Sequence, residues 1–146
     1  MRQVVRCFLQ NKENKFLLVK HIKAKNWSLA WWHLEENENM YEALHREIKE
    51  EFNFKIEILG NKIWFNKNKL NELNELPIPI SIYNVKYNSI KHWLIQKQEY
   101  IFLAKIIAWN IKIQTEEIEE YNFFTKEEIL KLDNTFEQIK ETIKTL

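Results

Sequence analysis

The chain has 146 residues, with 22 Lys and Arg against 21 Asp and Glu and a net charge of +1. Hydrophobic residues make up 45% and charged residues 29%, which excludes a disordered chain or a polybasic polyanion-binding tail and suits one domain with its own core. No apolar run approaches the roughly 18 residues of a membrane span, and Met1-Arg2-Gln3-Val4-Val5-Arg6 meets charge too early for a signal segment, so a cytoplasmic globular domain is expected.

Residues 3 to 10 and 15 to 22 are apolar runs rich in β-branched and aromatic residues around the polar turn Asn11-Lys12-Glu13-Asn14, and they predict a hairpin. Cys7, alone in the chain and set in an apolar run, reads as a buried thiol. After the lysine-rich loop of Lys20, Lys23 and Lys25, Trp27-Ser28-Leu29 predicts another short strand. The acidic turn Glu35 to Asn39 leads into residues 41 to 52, which lack Gly and Pro and predict a helix. Residues 54 to 65 predict a strand or a strand pair bent at Gly60, and residues 66 to 76 a loop. Extended runs follow at 80 to 87 and 99 to 108, and 111 to 114 are expected to pair nearby. Thr125-Lys126-Glu127-Glu128 has the form of a capping box before a short helix. Asp133 is expected to cap a final helix to Leu146, with Phe136, Ile139 and Ile143 on one face.

The helix at 41 to 52 carries the chemistry. At about 100° per residue from Leu44, the side chains of Tyr41, Ile48 and Phe52 fall within roughly 80°, forming a core face. Glu47, Glu50 and Glu51 fall at about 300°, 240° and 340°, beside that face, in an arc without Lys or Arg. Like charges at such spacing cost a few tenths of a kcal/mol each, so a positive partner is expected. A hard divalent cation fits, because Mg²⁺ prefers carboxylate oxygen and fills its remaining positions with water and substrate phosphates. By spacing alone, a solvated acidic face is the competing interpretation.

Residues 32 to 54 read Trp-His-Leu-Glu-Glu-Asn-Glu-Asn-Met-Tyr-Glu-Ala-Leu-His-Arg-Glu-Ile-Lys-Glu-Glu-Phe-Asn-Phe. The stretch resembles the Nudix box, G-x5-E-x7-R-E-U-x-E-E-x-G-U with U apolar, at Glu38, Arg46, Glu47, Ile48, Glu50, Glu51 and Phe54. Trp27 to Leu29 resembles the strand before the box, and Glu119 to Ile129 the acidic, aromatic segment before the family's C-terminal helix.

The resemblance implies the α/β Nudix fold, a mixed β-sheet sandwiched between α-helices, and hydrolysis of a nucleoside diphosphate linked to another moiety. It implies that Glu47, Glu50 and Glu51 hold Mg²⁺ or Mn²⁺, that Arg46 orients them, and that Glu38 is mainly structural. The main-chain carbonyl at the position of Trp31 would also touch metal. Glu47 is the first choice as proton acceptor. Distal candidates for a base or further ligand are Glu99, Glu116, Glu117, Glu119 and Glu120, each otherwise a solvated charge. The expected activity is Mg²⁺-dependent pyrophosphohydrolysis of a nucleoside triphosphate or related small nucleotide. The alternatives are a noncatalytic nucleotide- or protein-binding module and an enzyme trimming RNA 5′ ends.

The chain departs from the box at its glycines. Trp32 and Asn53 occupy both box glycine positions, and Trp31 stands where another glycine is usual. Asn tolerates the left-handed conformation at a helix end, so Asn53 is a mild exchange. Two indoles in a tight loop would strain any positive φ and argue for impaired catalysis. The whole chain has one Gly and six Trp. A UGA codon meaning glycine but read as tryptophan would explain this imbalance, and UGG codons at 31 and 32 would exclude that explanation.

Lesser candidates complete the reading. His33 is a possible phosphate contact, with His21, His45 and His92 structural or at the surface and His45 near the core side of the helix. Lys20, Lys23 and Lys25 are candidates to steer polyphosphate, and Phe8, Tyr83 or Trp93 to stack on a base. No nucleic-acid motif is present, and an oligomer is left open.

Overall fold

The computed structural model describes residues 2–63, 73–91, 93–110, 112 and 116–146. In chain order the elements are β1 (Arg2–Gln10), β2 (Phe16–His21), β3 (Ala30–His33), α1 (Met40–Phe52), β4 (Phe54–Leu59), β5 (Ser81–Asn88), β6 (Leu94–Trp109), β7 (Ile118–Phe124), α2 (Lys126–Lys131) and α3 (Glu137–Ile143). The strands form a sheet in the order β4-β6-β1-β2-β7, with β3 added to β1 and β5 to β6. Strands β1 and β6 run parallel from Arg2↔Lys97 to Gln10↔Lys105, whereas the other pairings are antiparallel. The sheet is therefore mixed, as expected.

Alternation along β1 sends its side chains to two cores. Val5, Cys7 and Leu9 join Leu44, Ile48 and Phe52 of α1 on one face. Phe8 joins Ile129 of α2 and Ile139 and Ile143 of α3 on the other. Helices thus cover both faces, and each large side chain removed fully from water contributes about 1.5–3 kcal/mol. The Cys7 thiol is buried, and burial pushes its pKa up, as suits a core group.

Both ends of α1 follow local chemistry. The Asn39 side chain accepts from the Tyr41 N–H at 2.8 Å, and Asn53 ends the helix at φ 60° and ψ 37° with its N–H bonded to the Lys49 carbonyl. The Asn53 side chain also donates to the Asn110 carbonyl at 3.0 Å. The single glycine, Gly60, follows β4 at φ 157°, where an added Cβ would lie 2.5 Å from the Ile78 carbonyl oxygen. Only glycine permits that approach.

Several expectations change. Trp27 and Ser28 form isolated bridges to Thr135 and Val19, and the paired strand is β3, from Ala30 to His33. The expected run at 54 to 65 ends as a strand at Leu59, and β6 begins at Leu94, earlier than residue 99. The Thr125 capping box is present, but Asp133 caps no helix: α3 starts after Phe136, which provides no side-chain cap. Phe136 is also exposed, so of the three apolar residues expected on one face Ile139 and Ile143 reach the core, joined by the buried Thr142. The acidic segment at 118–124 is a strand, paired with β2. The expected loop at 66–76 falls mostly, and the pairing segment at 111–114 largely, outside the described residues. No helix among the described residues is long and apolar enough to cross a membrane.

Candidate active site

Packing of Leu44, Ile48 and Phe52 into the core fixes the rotation of α1, and Glu47, Glu50 and Glu51 then project beside the buried stripe. Arg46 lies outside their arc but reaches across it. Its Nη1 is 3.0 Å from Glu47 Oε1 and 3.3 Å from Glu50 Oε2, and its Nη2 binds Glu38 Oε1. The expected positive partner is thus supplied in part by the helix itself. Arg46 holds the Glu38 carboxyl below its ordinary pKa, and Glu38 raises that of Arg46 in return.

Glu51 differs from its neighbours. Its Oε2 accepts the Trp32 indole N–H at 2.6 Å in a half-buried setting. Burial pushes its pKa up to about 7, Glu117 and Glu47 push in the same direction, and the indole hydrogen bond opposes them. Burial with two neighbouring acids thus disfavours the charged carboxylate, which has an indole donor and, among the described residues, no cation paired with it.

Among the described residues no three His, Cys, Asp or Glu side chains stand close enough to enclose a metal ion. The reason is visible in the partners: Glu47 and Glu50 turn toward Arg46 and Glu51 toward Trp32. A closed protein cage is unnecessary for Mg²⁺, which is commonly held by one or two carboxylates together with waters and phosphates. The donor set of hard carboxylate oxygens, with Glu51 short of positive charge, fits such a cation.

The two tryptophans avoid the expected strain. Both lie in β3, opposite Arg6 and Val5, and neither is among the residues with positive φ. Their rings take opposite sides of the sheet. Trp32 packs against the α1 core, whereas Trp31 contacts His33 at 5.1 Å and His21 at 6.2 Å between ring centroids, with the Arg6 guanidinium and Lys97 ammonium each 5.8 Å from its ring.

The distal acids separate. Glu99 is a correction: it is 1% exposed, and both of its oxygens accept from Arg6 at 3.0 Å. Lys97 Nζ lies 3.4 Å away, and Arg6 Nη1 donates to Ser28 Oγ at 3.2 Å. A charged Arg6 inside an apolar run was the available signal, since such a residue is rarely buried unpaired. Glu120 pairs with Lys20 at 3.6 Å, Glu116 and Glu119 are exposed, and only Glu117 acts electrostatically on Glu51.

The remaining candidates also sort themselves. Phe8 is fully buried and unavailable for stacking, Tyr83 bonds Thr142 at 3.0 Å, and Trp93 is exposed. Lys20 sits over the Trp27 ring at 4.8 Å, while Lys23 and Lys25 are exposed. His45 is exposed rather than on the core side, and His92 lies outside the described residues. His33 borders an open cleft of about 600 Å³ with Gln3, Glu36 and Gln98, but the α1 carboxylates do not line it.

The NUDIX domain model matches residues 1–146. No curated protein matches the sequence. Among solved structures, a NUDIX-family hydrolase from Clostridium perfringens is 24% identical over 98% of this chain and 96% of its own, with a TM-score of 0.71. The MutT protein from Methanosarcina mazei Go1 is 15% identical over 99% of this chain and 91% of its own, with a TM-score of 0.71. The C. elegans Ap4A hydrolase is 15% identical over 99% of this chain and 93% of its own, with a TM-score of 0.64.

Proposed function

The chain belongs to the Nudix family, and on that premise we propose that it is a Mg²⁺- or Mn²⁺-dependent pyrophosphohydrolase of a nucleoside triphosphate or related small nucleotide. The observation that carries this reading is the row of Glu47, Glu50 and Glu51 along α1, with Glu51 half-buried and, among the described residues, without a cationic partner. A divalent cation bound there would neutralise the pyrophosphate, polarise a phosphorus and lower the pKa of the attacking water. Glu47 and Glu51, one turn apart, would share the cation, with Glu50 beside them. The main-chain carbonyl of Trp31 is a further candidate ligand.

In the hydrolytic step a water oxygen bonds to phosphorus, the P–O anhydride bond breaks, and the bridging oxygen leaves with the departing phosphate or nucleotide. Glu47 is assigned as acceptor of the water proton, and Arg46 as the group that orients Glu47 and Glu50. Glu38 anchors Arg46 in turn. Glu117, the distal acid coupled to Glu51, is the preferred outside base or ligand. A small nucleotide substrate accords with the Ap4A for which one structural neighbour is named.

Turnover of a nucleotide panel with Mg²⁺, beside Glu51→Gln, tests the proposal. The expected result is metal-dependent release of phosphate or pyrophosphate by the wild type and its loss in the variant. A folded wild type without metal-dependent turnover would instead support a noncatalytic binding module. Long RNA outcompeting mononucleotides would assign it to RNA 5′ ends.

A further inference from the structure

The family box has glycine where this chain has Trp32, so a side chain acting from that position belongs to this chain in particular. We propose that Trp32 is a positioning residue: its indole N–H holds one oxygen of Glu51 and presents the carboxylate to a divalent cation. The inference rests on reading Glu51 as a metal ligand.

Three observations carry it. The Trp32 Nε1 lies 2.6 Å from Glu51 Oε2, a direct and close N–H contact on a carboxylate. The Trp32 ring packs against the same core cluster as Leu44, Ile48 and Phe52, so the donor is fixed relative to α1. The indole offers one donor and no acceptor, and therefore engages Oε2 while leaving Oε1 for a cation. In metal sites generally, ligating carboxylates are held by such outer partners, and their removal weakens metal binding about 10–100-fold.

Mn²⁺ titration followed by electron paramagnetic resonance, without nucleotide, tests this on the wild type, Trp32→Phe, Glu51→Gln and the double variant. Trp32→Phe retains a ring but loses the donor, and about tenfold weaker Mn²⁺ binding is expected. Glu51→Gln should also weaken binding, and the double variant should bind no more weakly than Glu51→Gln, because the indole acts through that carboxylate. The Trp32 indole proton resonance should shift in wild type on addition of Mg²⁺, and in Glu51→Gln. Wild-type or tighter Mn²⁺ binding by folded Trp32→Phe, alongside a weakened Glu51→Gln, overturns the inference alone; tighter binding would mean that the indole competes with the cation. Unchanged binding in Glu51→Gln overturns the ligand assignment as well. Should Trp32→Phe not fold, an unmoved indole resonance in Glu51→Gln overturns the proposal.

Discussion

The α1 carboxylates and Glu99 lie on opposite sides of the same sheet and are treated differently by it. Glu99 is buried and saturated: two nitrogens of Arg6 at 3.0 Å, Lys97 at 3.4 Å, and Ser28 on the remaining arm of Arg6. On the α1 side, Glu47 and Glu50 share the exposed Arg46 with Glu38, and Glu51 has an indole donor and, among the described residues, no cation. A buried charge survives only when fully partnered, so the Arg6–Glu99 pair ties β1 to β6 as architecture. The acidic row lies at the edge of water, tolerates a shortage of positive charge, and can accept more.

The largest expected effect breaks the closed side. Arg6→Met removes both hydrogen bonds that Arg6 gives the buried Glu99 and leaves Lys97 as its remaining cation, and should cost about 3–5 kcal/mol of stability in urea denaturation, much of it recovered by adding Glu99→Leu. On the open side, Glu51→Gln should lower kcat on the order of a thousandfold, the equivalent of about 4 kcal/mol, while leaving stability unchanged or improved. A stability loss as large as that of Arg6→Met would erase the contrast.

The pH dependence of stability sharpens it. Glu51 is raised from 4.5 to about 7, so between those values the folded state binds more protons than the unfolded state. Stability from this group should fall as pH rises through that window, on the order of 2 kcal/mol after allowance for solvent screening. Adding Mn²⁺ or Glu51→Gln should flatten the slope in denaturation series at pH 4.5 to 7.5. Asn53→Ala places an ordinary residue at φ 60° and removes the bond to Asn110, for a loss of about 1–2 kcal/mol with Mn²⁺ affinity unchanged. The smallest test alters no residue: if Trp32 serves Glu51 in the cell, codon 32 reads UGG.

Much of the acidic side was legible in the chain because its determinants are local. Helical spacing aligned Glu47 with Glu51, Asn53 stood where a left-handed residue ends the helix, and Thr125 with Glu128 formed the next cap. The closed side was not legible. Glu99 read as a solvated acid, because nothing near it in sequence names Arg6, 93 residues away. The expected cap at Asp133 failed for a related reason: the Trp27 N–H bonds the Asn134 carbonyl, and Thr135 bridges Trp27, holding that segment against the strand loop until Phe136.

By itself, then, the sequence determined the register of carboxylates along α1 and both ends of that helix, since hydrogen bonds within a turn and a 3.6-residue period need only neighbours. Tertiary structure decided which charges are spent. The parallel pairing of β1 with β6 brings Glu99 onto Arg6, and the β1–β3 ladder delivers the Trp32 indole to Glu51. Those choices depend on contacts between distant segments, whose partners are selected by packing the whole sheet rather than by any local pattern.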